Sequence, residues 1–169
     1  KELFKAAAWA GVSAVKLQKR DNRALYTQEM YDRPYNSEAA FGPTYGTHRE
    51  ALEFGWEEYV ELQRYATDLG LIFFATAFDT NSGDFLNALG LPVFKVASGD
   101  LLSIGLIRHL ASFGKPLIIS TGGGTLKDVR RIYNTLESYG VTSHGRFLSD
   151  QLAFLQCTAT YPPQASELN

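Results

Sequence analysis

The sequence predicts an α/β fold of the TIM, or (β/α)8-barrel, class, with about five βα units present, corresponding to strands 2 to 6 of the eight. Three observations predict it. Five short apolar runs recur along the chain: Ala14–Gln18, Phe73–Thr76, Val93–Ser98, Leu117–Thr121 and Ala153–Thr158. Segments of helical periodicity separate most of them, the pattern of buried parallel strands in βα units. Each run ends in polar residues suited to holding an anion, and in a βα barrel all such ends meet at one face. A whole barrel needs about 250 residues; this chain has 169.

Taken in order, Glu2–Ala10 reads as an alanine-rich helix closed by Gly11. The strand Ala14–Gln18 follows. Lys19–His48 is polar and aromatic, with Tyr26, Tyr31, Tyr35 and Tyr45 and a turn-prone stretch at 41–46. A connection this long is usually functional, and its aromatic content predicts an ordered flap or an interface. Arg49–Leu69 reads as the strongest helix, with Leu52, Trp56, Tyr59, Leu62, Tyr65 and Ala66 at helical spacing and Gly70 as its cap. Next come strand Leu71–Ala75 and helix Ser82–Leu89, with Asn81 or Ser82 as N-cap. Strand Val93–Ala97, helix Leu101–Phe113, strand Leu117–Ser120, helix Leu126–Tyr139 and strand Ala153–Cys157 complete the alternation.

The bulk numbers exclude several classes. A content of 45% hydrophobic and 20% charged residues is that of a folded chain, not a disordered one. A formal net charge of −2 argues against nucleic acid or an anionic membrane as partner. The single cysteine, Cys157, leaves no internal disulfide and fits a reducing compartment. With no bilayer-spanning apolar run and no signal peptide visible, a cytoplasmic location is expected.

The candidate chemistry lies at the strand ends. Lys16 and Gln18 are two residues apart on a strand and so share a face. A lysine on a barrel's interior face needs an anionic partner; the competing reading is a Lys16 that snorkels to solvent. Lys95 and Ser98 follow the same logic, with a buried ion pair as the alternative for Lys95. Ser120-Thr121-Gly122-Gly123-Gly124-Thr125 is a Gly-rich strand-to-helix turn whose amides could cradle phosphate, although it lacks a P-loop ending and, taken alone, reads as a plain connecting turn. The Thr76 hydroxyl can bond an oxyanion or cap a turn. Thr158, Thr160 and Tyr161 precede the stiff Pro162-Pro163, in a loop suited to closing over a substrate. Asp79 reads as structural, Cys157 as core, and His48, His109 and His144 as surface or packing residues without metal-like spacing. Two lysines, several hydroxyls and an amide converging on one face call for a small, highly charged ligand such as a phosphorylated carboxylic acid.

Six segments then become specific as a set: Val15–Lys19, Tyr45–Phe54, Phe94–Asp100, Phe113–Pro116, Ser120–Gly122 and Leu155–Pro162. Together they resemble the sialic acid synthases, the N-acetylneuraminate synthase family. The resemblance runs through essentially the whole chain. It implies a transferase that condenses phosphoenolpyruvate with N-acetylmannosamine, or a related N-acetylated sugar, to a nine-carbon 2-keto acid and phosphate. It also implies a TIM barrel followed by an antifreeze-like domain, a domain-swapped homodimer, and Mn²⁺ or Mg²⁺. Carried over by motif, Lys16, Thr76, Lys95, Ser98 and Ser120 would hold phosphoenolpyruvate, Gln18 and Tyr161 would face the sugar, and Thr158 completes the substrate-binding set. Gly123-Gly124 and Ala159 depart from the family's common residues.

On this resemblance residues 1–169 are expected to form part of one phosphoenolpyruvate-binding barrel domain. The first strand, the last strands, the C-terminal domain and the metal ligands are expected outside the chain, which alone should be inactive and poorly stable. Synthases making legionaminic, pseudaminic or spore-coat sugar acids are the alternative activities, with the Arg20–Tyr45 loop discriminating sugars. A non-catalytic scaffold on the same fold is the alternative of a different class.

Overall fold

The computed structural model describes residues 1–138 and 151–168. The apolar runs form one five-stranded, wholly parallel sheet in the order β1 (Ala14–Lys19), β2 (Ile72–Ala77), β3 (Phe94–Val96), β4 (Leu117–Ser120) and β5 (Leu152–Leu155). Each strand pairs with the next one in sequence, which is how a βα barrel is built. The sheet presents two chemically different faces because side chains alternate along each strand. Phe73, Ala75, Ala77, Phe94, Val96, Leu117 and Ile119 are buried on one of them. They share a core with Leu86 of α6 (Thr80–Ala88), Ile107 and Leu110 of α7 (Ile104–Ser112), and Ile132 and Leu136 of α8 (Leu126–Ser138). The other face carries Lys16, Gln18, Phe74, Thr76, Lys95, Ile118 and Ser120.

Ahead of the sheet stands α1 (Glu2–Trp9), closed as expected at Gly11, whose φ is +77°. The long connection after β1 is more structured than its composition suggests. It holds α2 (Asn22–Leu25), α3 (Gln28–Asp32) and α4 (Tyr45–Glu50), each opened by a side-chain cap from Asp21, Thr27 or Thr44. Tyr45 packs edge-on against Tyr26 and Tyr35, with ring centroids 5.2 and 5.6 Å apart. His48 is a buried packing residue, tilted against Tyr35, stacked on Phe41 and accepting the Phe41 N–H at 3.2 Å. His109 meets Asp84 at 2.8 Å; His144 lies outside the described residues, as does Tyr139.

The single helix expected over Arg49–Leu69 is two helices. After α4 the chain breaks and restarts as α5 (Trp56–Asp68), where the Gly55 N–H donates to Glu58 at 2.9 Å. Tertiary bonds to the end of β1 hold this break and outweigh local propensity. Lys19 donates to the Phe54 carbonyl at 2.8 Å and pairs with Glu53 at 3.4 Å, and Glu53 also accepts the Arg20 N–H at 3.2 Å. Cys157, expected in the core, is only half-buried, because it follows an outermost strand of the described sheet.

Asp79 is structural, as expected, but in a role assigned from sequence to Asn81 or Ser82. Its carboxylate caps α6 by accepting the Ser82 N–H at 2.7 Å, and it also takes the Ser82 hydroxyl and the Asp21 N–H, both at 2.8 Å. It therefore ties the β2–α6 turn to the chain leaving β1. Asp79→Ala removes three acceptor interactions, against about 1 kcal/mol for a simple cap. It should destabilise the full-length protein by about 2–3 kcal/mol, more than Asp79→Asn, as read by denaturant midpoints.

Candidate anion-binding site

Register decides which polar side chains meet. Gln18 pairs with Thr76, Thr76 with Lys95, Lys95 with Ile118 and Ile118 with Ala153. Paired residues of parallel strands point to the same side, so Gln18, Thr76 and Lys95 form one continuous row. Lys16 lies two residues before Gln18, opposite Phe74, and Ser120 two beyond Ile118, opposite Leu155. Five of the residues singled out from sequence thus share one face near the carboxyl ends of four strands, where βα barrels place their active sites.

Lys95 donates to the Ser120 hydroxyl at 2.8 Å and to the Val96 carbonyl at 3.4 Å. Ser98 stands in the 3₁₀ turn Ser98–Asp100 directly after β3, and its hydroxyl accepts the Gly122 N–H at 3.1 Å. A hydroxyl that accepts this bond retains a proton to donate. Gly122 makes the contact possible: a Cβ there would lie 3.0 Å from the Ser98 oxygen and 3.2 Å from the Cys157 carbonyl. The Thr76 hydroxyl is the most telling atom. It is buried and has no hydrogen-bond partner among the described residues, a situation that costs about 1–3 kcal/mol unless something satisfies it.

The electrostatics point the same way. Among the described residues neither Lys16 nor Lys95 is paired with a carboxylate, so the buried ion pair weighed for Lys95 is not found there. Lys16 is held below the ordinary lysine value first by lost hydration and then by the charges of Lys95 and Arg20, although it remains solvent-accessible. Burial likewise lowers Lys95, while the neighbouring Cys157 thiol opposes the shift. Two cations beside an unsatisfied hydroxyl donor make a site for a polyanion.

Other expected features stand differently. The Gly-rich turn is not a free phosphate cradle. The Thr121 and Gly124 amides donate to the Leu155 and Thr121 carbonyls at 3.0 Å each, Gly122 to Ser98, and Thr125 to Asp128 at 2.9 Å. These four amides serve the turn and its latch onto β3 and β5. The Thr158 hydroxyl donates to the Glu167 carbonyl at 3.1 Å, and Tyr161 is 97% exposed; neither contacts the row. Among the described residues no three His, Cys, Asp or Glu side chains are placed to hold a metal ion. None of them therefore fits the expected Mn²⁺ or Mg²⁺, and no chemical step is derived through one. No described helix is long and apolar enough to cross a membrane.

Two residues belong here that carried no assigned role in the sequence. Arg20 donates to the Gln18 side-chain oxygen at 2.8 Å and lies 3.7 Å over the Phe78 ring. Arg49, from α4, lines the same cavity as Lys16 and Gln18. Arg20 was detectable, because Lys16, Gln18 and Arg20 continue one alternation just past the strand end. Arg49 follows from the fold of the flap, which no local pattern announces.

Against known proteins, the NeuB family model matches residues 3–169. The chain belongs to the NeuB family. This NeuB chain is 33% identical over its whole length to the human N-acetylneuraminate-9-phosphate synthase, of which it covers 45%. It is 37% identical to the N,N'-diacetyllegionaminic acid synthase of Legionella pneumophila, again over the whole chain and 47% of that protein. The fold matches the N-acetylneuraminic acid synthetase of Leptospira borgpetersenii with a TM-score of 0.77 at 22% identity, over 99% of this chain and 51% of that one. The chain thus spans about half the length of these relatives, and its sheet is part of their TIM-barrel-like fold.

The lysine shifts set a pH dependence for anion binding. An anion favours the protonated lysines, so affinity should fall as pH rises through their lowered values, beginning below the ordinary 10.5. Calorimetric titration of the full-length protein with phosphoenolpyruvate across pH 7–10 checks this. Lys95→Met should lose about 10- to 100-fold in affinity at neutral pH.

Proposed function

We propose that this chain supplies the phosphoenolpyruvate-binding part of a nonulosonic acid synthase. In that reaction C3 of phosphoenolpyruvate attacks the aldehyde carbon of open-chain N-acetylmannosamine or a related N-acetylated sugar. Water then adds at C2 and phosphate leaves, giving the nine-carbon 2-keto acid. The observation that carries the reading is the row Gln18–Thr76–Lys95 with Lys16 beside it: among the described residues, two lysines without carboxylate partners and one orphaned hydroxyl on a single barrel face.

The chemistry follows from the groups present. Lys16 and Lys95 would neutralise the phosphate and carboxylate, while the Thr76, Ser98 and Ser120 hydroxyls fix their orientation. Charge stabilisation by groups already in place costs no reorganisation during reaction. Holding C3 against the aldehyde supplies the entropic part of the acceleration. Gln18, held by Arg20, would face the acceptor, and Thr158 and Tyr161 would join it from the loop after β5. Mn²⁺ or Mg²⁺, on ligands other than the described residues, and a homodimer of the full-length protein belong to the same proposal, as does the location in the cytoplasm.

Relatives at 28–38% identity include synthases named for legionaminic acid and for N-acetylneuraminate 9-phosphate, as well as a spore-coat biosynthesis protein. The acceptor is therefore the open half of the proposal. Phosphate release from phosphoenolpyruvate by the full-length protein should require an N-acetylated amino sugar and rank a panel of them. Release that is indifferent to the sugar, or phosphoenolpyruvate binding untouched by Lys95→Ala, would overturn the assignment.

A further inference from the structure

Gln18 is the member of the polar row that can be presented two ways round. Its carboxamide carries an acceptor oxygen and a donor nitrogen on one planar carbon. A neighbour settles which of them faces a ligand. Arg20 stands two residues further on, and its guanidinium donates to Gln18 Oε1 at 2.8 Å. A guanidinium has N–H groups and no acceptor, so only the amide oxygen can face it. The nitrogen keeps both of its N–H groups, on a side chain that is exposed and makes no other hydrogen bond among the described residues.

Arg20 is held firmly enough to impose that choice. Its guanidinium lies over the Phe78 ring, 3.7 Å from the centroid. Its backbone N–H donates to Glu53 at 3.2 Å, and the same carboxylate oxygen takes Lys19 at 3.4 Å. Lys19 in turn donates to the Phe54 carbonyl at 2.8 Å, which ties the end of β1 to the break between α4 and α5. The Gln18 backbone is pinned as well, because the buried Tyr59 donates its hydroxyl to the Gln18 carbonyl at 2.9 Å. A cation on the amide oxygen also polarises the amide and strengthens the N–H donors that remain.

We infer that Arg20 is a positioning residue: it holds the Gln18 carboxamide with the nitrogen outward, so that Gln18 acts as a hydrogen-bond donor to a ligand oxygen. The inference deepens the reading above and rests on it in one respect, that this oxygen belongs to the acceptor sugar. Arg20 works through Gln18 and makes no ligand contact of its own. An unclamped glutamine would lose its rotamer freedom and one of two amide orientations at the moment of binding. A clamped one has lost both beforehand, which favours binding.

Steady-state kinetics of the full-length protein test this, with phosphoenolpyruvate and N-acetylmannosamine, or the panel sugar it prefers, as probes. Arg20→Met keeps an apolar group on Phe78. It should raise the sugar's KM about 10-fold while the KM for phosphoenolpyruvate moves less than about twofold. Arg20→Lys, which keeps a donor, should recover part of the loss. In a Gln18→Met background Arg20→Met should add nothing. Gln18→Glu, which pairs with Arg20 but has no N–H to give, should bind the sugar no better than Gln18→Met. An Arg20→Met loss of equal size with and without Gln18 would overturn the inference, as would a sugar KM that Gln18→Glu leaves unchanged. Side-chain ¹⁵N relaxation supplies a readout that needs no substrate. The Gln18 amide nitrogen should be ordered in the wild type and mobile in Arg20→Met, and equal mobility in both would remove Arg20 from the role. If the wild type releases no phosphate with any sugar of the panel, the synthase reading falls, and the relaxation comparison still decides what Arg20 does.

Discussion

The parallel register of the sheet is the constraint on which the rest depends. Gln18, Thr76 and Lys95 are 58 and 19 residues apart in sequence, yet the ladder sets them side by side. A slip of one residue in either pairing would turn the polar residues on one side of that pairing into the helix-packed face and expose Phe73 or Phe94 in their place. Burial of that apolar face therefore fixes the site without any direct selection on polar contacts. The same alternation that fills the core with Phe73, Ala75, Phe94 and Val96 leaves lysine and threonine on the other side.

Those side chains are costly to hold there, and the structure lessens the cost only in part. Among the described residues Lys95 has a hydroxyl and a carbonyl but no counter-charge, Lys16 faces two like charges, and the Thr76 hydroxyl is orphaned. A fold under no demand to bind would replace such groups with apolar ones at little loss. The competing reading of a purely structural scaffold does not account for a buried, orphaned hydroxyl beside two lysines that have no carboxylate partner among the described residues. An anion that accepts from all of them does.

The alternation of strands and helices was legible because buried parallel strands and amphipathic helices have distinct periods, and Lys16, Gln18, Thr76, Lys95 and Ser120 were legible because a polar residue inside an apolar run is conspicuous. What could not be read locally was set by tertiary bonds. Leu52 and Trp56 keep helical spacing across a break that Lys19, Glu53 and the Phe54 carbonyl impose. Asp79 took the cap that Asn81 and Ser82 were equally able to fill, because it also reaches the chain after β1. The Gly-rich turn serves packing for a related reason: Gly122 and Gly124 allow close approach to Ser98 and Leu101, and four of its amides are spent within the turn or on Ser98 and Leu155.

The break between α4 and α5 ties these observations together. One carboxylate, Glu53, sits between the end of β1 and the flap, and by binding Lys19 and the Arg20 backbone it settles where the next two cations point. Arg20 is thereby turned toward Gln18 and Phe78, and α4 brings Arg49 to the same cavity. The flap is consequently more than a cover. Its aromatic packing and three capped helices hold an arginine at the margin of an anion site that the sheet alone completes. The division of labour is physical: rigid strands carry the Gln18–Thr76–Lys95 row, and the long connection after β1 brings Arg49 to the cavity beside it.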